Sequence, residues 1–220
     1  MTEPDVALTD FLLTAQCGAF SYWLSRMPAP RRRRLQSLCV QFFAVVGLAS
    51  LVGGAVHGYF HDESTRGFQI LWRLGLVILG AGSYFSWLIG AELLFRDAGR
   101  KLFGRIALAG LLLYAAYVLF WDQHFLFAIL NYLPATLFLF VAFVLQIRTG
   151  PRRAALYGAS SVLVTLAAAA AQMLHIAPHP TYLNHNAVYH LLQAVALVLL
   201  LVAFRGFIGQ VERDNVRPLP

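Results

Sequence analysis

The sequence predicts an all-α membrane protein whose single domain, residues 1–220, is a bundle of seven transmembrane helices. The chain is 59% hydrophobic and only 12% charged, with a mean hydropathy of +0.65, whereas soluble domains carry about 25% charged residues. Apolar runs of about 20 residues, each long enough to cross a bilayer core, recur along the chain. The basic residues concentrate in alternate loops and form no groove, which excludes a nucleic-acid-binding protein despite the net charge of +7.

The apolar runs place the helices and leave almost no chain for a soluble module. We predict helices at residues 7–25, 36–60, 69–95, 101–121, 124–147, 153–176 and 185–209. The N-terminal residues are acidic and lack the basic region of a signal peptide, so the first run is expected to remain as an anchor. Cys17 and Cys39 fall inside the first two runs, where small packing residues are favoured over a disulfide.

Local signals mark several of these helices. Gly54 and Gly58 give the second helix a face of small residues, and further glycines lie on the third, which lets helices approach closely. Pro134 predicts a kink in the fifth helix. Pro178 marks the loop after the sixth helix, and Asn184 is placed to cap the seventh.

The arginines orient the bundle. Loops on one side hold most of them, while the alternate loops hold only Arg66. The arginine-rich stretches are 26–34, 96–105 and 148–153, followed by Arg205 near the end of the last helix and by Arg213 and Arg217 after it. By the positive-inside rule, the N-terminus is outside and the C-terminus is cytoplasmic.

The small number of lysines indicates a cellular location and excludes one class of seven-helix membrane protein. The chain has sixteen arginines but only Lys101 as lysine, a bias that, with its richness in alanine and leucine, favours a bacterial inner membrane. A retinal protein needs a Schiff-base lysine within a late helix, and Lys101 lies at a cytoplasmic helix end, so that class is excluded.

On the same cytoplasmic side, Glu92 and Arg96 are four residues apart and predict a helix ion pair.

With this orientation, all seven histidines lie at or near the outer ends of the helices. They are His57, His61, His124, His175, His179, His185 and His190. Imidazole is the commonest metal ligand, so this one-sided distribution predicts a site. His57 and His61 are four residues apart and are expected to share a helical face. His190 lies one to two turns inside the last helix, with Asn186 four residues before it, and is expected at the depth of His57.

These residues predict a zinc site near the outer face. Zinc takes about four ligands, and catalytic sites keep one position for water. The expected ligands are His57, His61 and His190, with Asn186 or His185 completing or steering the site. A water bound there would titrate near pH ~7 and become a nucleophile. The alternative is that the outer histidines lie at the headgroup interface and have no further role.

Three more residues are candidates for the catalytic machinery. Asp122 follows the fourth helix on the outer side and is a candidate general base or partner of a histidine. Arg73 enters the outer part of the third helix and is expected to hold Asp122 or a lipid headgroup, because an arginine inside the membrane needs a partner. Ser50 lies seven residues before His57 and therefore below it on the same face.

The layout resembles the superfamily of seven-helix membrane hydrolases that includes alkaline ceramidases and progestin/adiponectin-receptor-like proteins. That family carries Ser-x-x-x-His on the second helix, a nearby aspartate and His-x-x-x-His on the seventh. Its three histidines bind zinc, and the ceramidases hydrolyse the amide bond of ceramide. His57 matches the second-helix histidine and His190 the last one, whereas Gly53 replaces the serine and Asn186 the first histidine of the final pair, with His185 off by one.

The leading hypothesis is therefore a zinc-dependent hydrolase that cleaves an amide or ester bond of a membrane lipid from the outer side. One alternative is a haem redox protein with His57 and His190 as axial ligands. Another is a metal-binding receptor, sensor or assembly factor without catalysis. Metal analysis and an absorption spectrum distinguish haem from zinc, and an activity screen distinguishes enzyme from sensor.

Overall fold

A computed structural model shows seven α-helices among the residues that it describes, which confirms the predicted all-α class. The structure describes residues 3–179 and 182–209, so Pro180, Arg213 and Arg217 lie outside it. The helices are α1 (Pro4–Ser25), α2 (Arg33–Tyr59), α3 (Arg66–Leu94), α4 (Asp97–Phe120), α5 (Phe125–Thr149), α6 (Arg152–Met173) and α7 (His185–Ile208). Each predicted boundary lies within about one helical turn of the observed one.

The helix ends follow from local hydrogen bonds. The Asn184 side chain accepts bonds from the backbone N–H groups of Asn186 and Ala187, which confirms the predicted cap of α7. The predicted sixth helix extended to residue 176, but α6 ends at Met173 because His175 adopts a left-handed backbone conformation with φ 52°.

Six of the helices, α2 to α7, are long and apolar enough to cross a membrane, and the chain is an integral membrane protein. The 22-residue α1 is long enough but is not among them, because it is not apolar enough. A membrane crossing by α1 and the outward orientation of the N-terminus therefore stay predictions.

The helices form a ring in the order α1, α2, α3, α5, α6, α7, in which each helix packs against the next and α7 returns to α1. α4 lies outside this ring and packs mainly on α3. The start of α1 and the loops 60–65, 121–124 and 174–184 form one end of the bundle, which we call the histidine end because all seven histidines lie at or near it. The opposite end, with loops 26–32, 95–96 and 150–151, is the arginine end.

The half of the bundle nearest the arginine end is tightly packed. Phe42, Phe43 and Phe204 contact one another edge to face, with ring centroids 5.6 to 6.2 Å apart. Cys17 and Cys39 are free thiols buried in the same core. Aromatic rings and aliphatic side chains from six helices therefore fill this half of the ring.

A buried carboxylate joins three helices at the arginine end. Glu92 on α3 contacts Arg100 of α4 through Oε1 at 3.0 Å and Arg34 of α2 through Oε2 at 3.2 Å. The two guanidinium groups thus join three helices through one acidic residue. This network replaces the predicted Glu92–Arg96 pair, because α3 ends at Leu94 and Arg96 lies outside both helices, at the cap of α4.

Candidate functional site

A cavity of about 370 Å³ opens inside the ring near the histidine end. All six ring helices contribute to its wall, and much of that wall is apolar. Its polar and titratable side chains are Asp10, Ser50, His57, Gln172, Asn186 and His190. Four residues that the sequence predicted for the site, Ser50, His57, Asn186 and His190, are therefore brought together around one space.

An aspartate and a histidine face each other in this cavity. Asp10 of α1 is 4% exposed, and its Oδ1 lies 3.5 Å from Nε2 of His190 on α7. The other ring nitrogen of His190, Nδ1, lies 3.0 Å from the hydroxyl of Thr9. The imidazole is thus held from both sides by α1, at a depth where polar groups are costly and usually functional.

The hydrogen bonds around Thr9 fit one tautomer of His190. The Thr9 hydroxyl has one hydrogen, and the backbone carbonyls of Asp5 and Val6 each lie 2.9 Å from the hydroxyl oxygen as acceptors. When the hydroxyl donates there, its oxygen can accept from His190 if the imidazole carries a proton on Nδ1. In that tautomer Nε2 faces Oδ1 of Asp10 across 3.5 Å, so a carboxyl group and an imidazole lie side by side at the cavity wall.

Gly53 makes room for this carboxylate. A Cβ atom at position 53 would lie 2.8 Å from Oδ2 of Asp10, which is closer than real contacts allow. Gly53 is also the position at which the resembling hydrolases carry serine. In this chain, the space that a serine side chain would take is filled by a carboxylate from α1.

The second feature of the histidine end is a group of three possible metal ligands. Glu3, His57 and His61 each offer one ligand atom, and these atoms all lie within 4.8 Å of one another. Oε2 of Glu3 lies 2.6 Å from Nδ1 of His57 and 3.8 Å from Nδ1 of His61. The backbone N–H of Glu3 also donates to the carbonyl of His57 at 3.2 Å, which fixes the start of α1 beside the end of α2.

This group differs from the ligand set expected from the sequence. α2 ends at Tyr59 and Phe60 is its cap, so His61 lies in the loop and half of its side chain is exposed. His57 and His61 therefore do not form a helical i,i+4 pair, although the turn still brings them together. The third member is Glu3, and His190 is not part of the group.

The donor set suits zinc. Two imidazole nitrogens and one carboxylate oxygen are the protein ligands of several catalytic zinc sites, with the fourth position left for water. To hold one ion together, Glu3 and His57 would have to give up their 2.6 Å contact, and His61 would have to move toward them. Exposure of His61 leaves room for this movement.

The loop that carries His61 is ordered by its neighbour. Asp62 accepts hydrogen bonds from the hydroxyl and the backbone N–H of Ser64 at 2.6 and 2.9 Å. These bonds, the hydroxyl first, lower the pKa of the exposed Asp62 carboxyl. The carboxylate thus stabilises the turn after α2.

The other predicted residues of the last helix lie at the rim. Asn186 lines the cavity and accepts a hydrogen bond from Gln172 of α6 at 2.9 Å. His185 is not part of the cavity wall, and its ring contacts that of His175 with centroids 4.6 Å apart. Asn186 is therefore placed to contact a ligand, whereas His185 joins the two helix ends.

Asp122 and Arg73 lie away from the cavity lining. Asp122 is exposed in the loop after α4, where its Oδ1 accepts from the backbone N–H of His124 at 2.8 Å. Arg73 is half-buried on α3 and forms no ion pair with any residue that the structure describes, so the predicted pairing with Asp122 is absent there. Trp72 is the cavity residue of this region, and its indole N–H donates to the Gln123 carbonyl at 2.9 Å.

Sequence reasoning missed Glu3, Asp10 and Gln172. Asp10 lies inside both the predicted helix 7–25 and α1, but as one of several acidic residues near the N-terminus it was not counted among the site residues. A carboxylate within an apolar helix is itself a signal of function, and applying that rule to the first helix would have found it. No local pattern marks Glu3, because its role depends on packing of α1 against α2.

The fold and the site define a helical integral membrane protein with a cavity at one end, whose largely apolar wall carries a few polar side chains. The chain belongs to DUF6962, a family of unknown function, whose model matches residues 6–208. No curated protein and no solved structure matches it.

Proposed function

We propose that the protein is a zinc-dependent hydrolase, embedded in the membrane, that cleaves an amide or ester bond in a lipid. One observation carries the proposal: His57 belongs both to the Glu3–His57–His61 group and to the wall of the cavity. A metal held by that group would therefore lie at the mouth of the space that contains the Asp10–His190 pair.

The residues divide the chemistry between them. Glu3, His57 and His61 would hold the ion, and zinc in such a site would supply a water activated near pH ~7. Asp10 and His190 take the proton released when the water oxygen attacks the carbonyl carbon, and they return it to the leaving nitrogen or oxygen as the acyl bond breaks. Nε2 of His190 is the atom that would carry this proton, since it faces Asp10 while Nδ1 faces the Thr9 hydroxyl.

The cavity wall fits a lipid. Its apolar side chains, among them Val52, Leu76 and Leu79, are suited to an acyl chain, and the Gln172–Asn186 pair offers amide groups to a polar headgroup. Ser50 lines the cavity within α2 and would contact the same acyl chain. Arg73 stays a candidate for the headgroup, as expected from the sequence.

The proposed location follows from the arginine pattern: a bacterial inner membrane, with the histidine end outside. Cysteine labelling at position 3 or 62 in intact cells tests this orientation. Labelling from the outer side is expected, whereas protection there with labelling of the arginine end would place the site in the cytoplasm.

A second function is favoured by the position of Glu3. Because this ligand comes from the start of α1, a bound ion would fix α1 to the end of α2. Such an arrangement suits a metal sensor without catalysis. A haem between His57 and His190, which both line the cavity, would give a Soret band and is tested by the same spectrum.

The decisive experiment loads the detergent-purified protein with zinc and screens ceramides, N-acyl amino lipids and lysophospholipids. Hydrolysis that a chelator abolishes and zinc restores is expected. Asp10→Asn is expected to lower turnover by about 10²- to 10⁴-fold while retaining zinc. Zinc binding with no turnover of any lipid would favour the sensor, and a Soret band without zinc would favour the redox protein.

A further inference from the structure

We infer that the arginine end carries a binding groove for the phosphate of an anionic membrane lipid, separate from the proposed hydrolase site. The groove has a volume of about 730 Å³ and runs between the loop 26–32 and the N-terminal half of α2. Arg33, Ser25 and Ser37 line it with polar groups, whereas Met27 and Val40 line it with apolar ones. A lipid headgroup joined to an acyl chain has this combination of chemistry.

The charged side chains around the groove are arginines, and two of them lack an ion-pair partner among the described residues. Arg34 is bound by Glu92, but Arg31 and Arg33 are exposed and pair with no acidic residue that the structure describes. No carboxylate lines the groove. Guanidinium groups bind phosphate oxygens in a bidentate manner, so this set favours a phosphate ligand.

The start of α2 adds to this preference. The 27-residue helix begins at Arg33 without a side-chain cap and without an acidic residue in its first turn. Its first backbone N–H groups therefore lack partners within the helix and favour an anion. At the same end, α4 has Asp97 in its first turn, whereas α6 also begins without an acidic residue or a side-chain cap and therefore serves below as the control for the helix start alone.

The surroundings place the groove at headgroup level and so favour a lipid over a soluble phosphate. Tyr22 and Trp23 are exposed on the last turn of α1, and such rings are typical of the membrane–water boundary. The guanidinium of Arg205 lies over the Trp23 ring, 4.3 Å from its centroid. A phosphate in the groove would therefore have aromatic and basic side chains at its own depth.

Native mass spectrometry of the full chain in detergent tests the proposal. The protein is titrated with phosphatidylglycerol and, in parallel, with phosphatidylcholine of the same acyl chains. Arg31→Ala with Arg33→Ala is expected to weaken phosphatidylglycerol binding about fivefold for each arginine removed. The matched control, Arg152→Ala with Arg153→Ala, removes two exposed charges from another helix start at the same end and is expected to change it less than twofold.

Several results would overturn the inference. One is an equal loss of phosphatidylglycerol binding in both double variants, and another is equal binding of the two lipids by the wild type. A third is displacement of phosphatidylglycerol by millimolar soluble glycerol phosphate, which would assign the groove to a soluble ligand. Ser37→Leu provides a second variant, because it fills the groove and leaves all arginines in place. It is expected to weaken phosphatidylglycerol binding, and unchanged binding in this variant would equally contradict the proposal.

Discussion

At the arginine end, the Glu92 carboxylate is enclosed by two guanidinium groups, whereas at the histidine end Asp10 faces a single imidazole at 3.5 Å and opens onto a cavity. Both carboxylates are buried, but only the first faces two arginines. A buried charge with matched partners joins helices and stays fixed. A buried carboxylate with a single titratable partner is able to exchange a proton with it. We therefore propose a catalytic role for the histidine end and a structural role for the arginine end.

The largest effect on stability is expected at Glu92. Glu92→Ala removes the shared partner of Arg34 and Arg100, and we expect a loss of about 2–4 kcal/mol, toward the lower end because both arginines keep access to water. Thermal unfolding in detergent measures this change. Asp97→Asn is the matched control, since Asp97 is exposed and lies 3.7 Å from the same Arg100, and it should cost less than about 0.5 kcal/mol. Equal melting of the two variants would show that the network adds no stability.

The next largest effect is expected on zinc affinity when one of the proposed metal ligands is removed. Glu3→Gln and His57→Ala each remove one of three ligands, so zinc affinity should fall by more than the roughly 10- to 100-fold that outer partners cost. His124→Ala serves as the control because His124 caps α5, outside the group. His190→Ala is expected to retain zinc. If it instead lost zinc as His57→Ala does, the ligand set His57, His61 and His190 expected from the sequence would be the correct one.

Sequence patterns recovered the helices because the period and length of apolar runs are local properties. They also recovered the clustering of His57, Asn186 and His190, since alternating helices return to the same end. They did not recover the roles of Glu3 and Asp10, because the register of α1 against α2 and α7 is set by packing. The Glu92 partners were missed for the same reason: Arg34 is distant in sequence, and the position of Arg100 depends on the break between α3 and α4.

Gly53→Ala should sharpen the contrast between the two ends with a smaller change. The added methyl group would contact Asp10 and displace its carboxylate from His190, so turnover should fall roughly tenfold or more, with a stability change of about 1–3 kcal/mol. Gly18→Ala is the matched control, since no atom lies within 4 Å of the added Cβ. Kinetics of zinc-loaded protein on the lipid found by the screen measure the effect. Normal turnover in Gly53→Ala would exclude a role for the position of Asp10.

The smallest effect is expected at Asp122. Its side chain is exposed and accepts only from the backbone N–H of His124, and an asparagine oxygen accepts the same bond. Asp122→Asn should therefore leave stability within about 0.5 kcal/mol and turnover within roughly twofold, which contrasts with the large loss expected for Asp10→Asn. Parallel kinetics and melting of the two variants test this. A tenfold loss of turnover in Asp122→Asn with zinc retained would mean that the loop 121–124 closes over the cavity during the reaction. Asp122 would then be the proton carrier, as the sequence alone predicted.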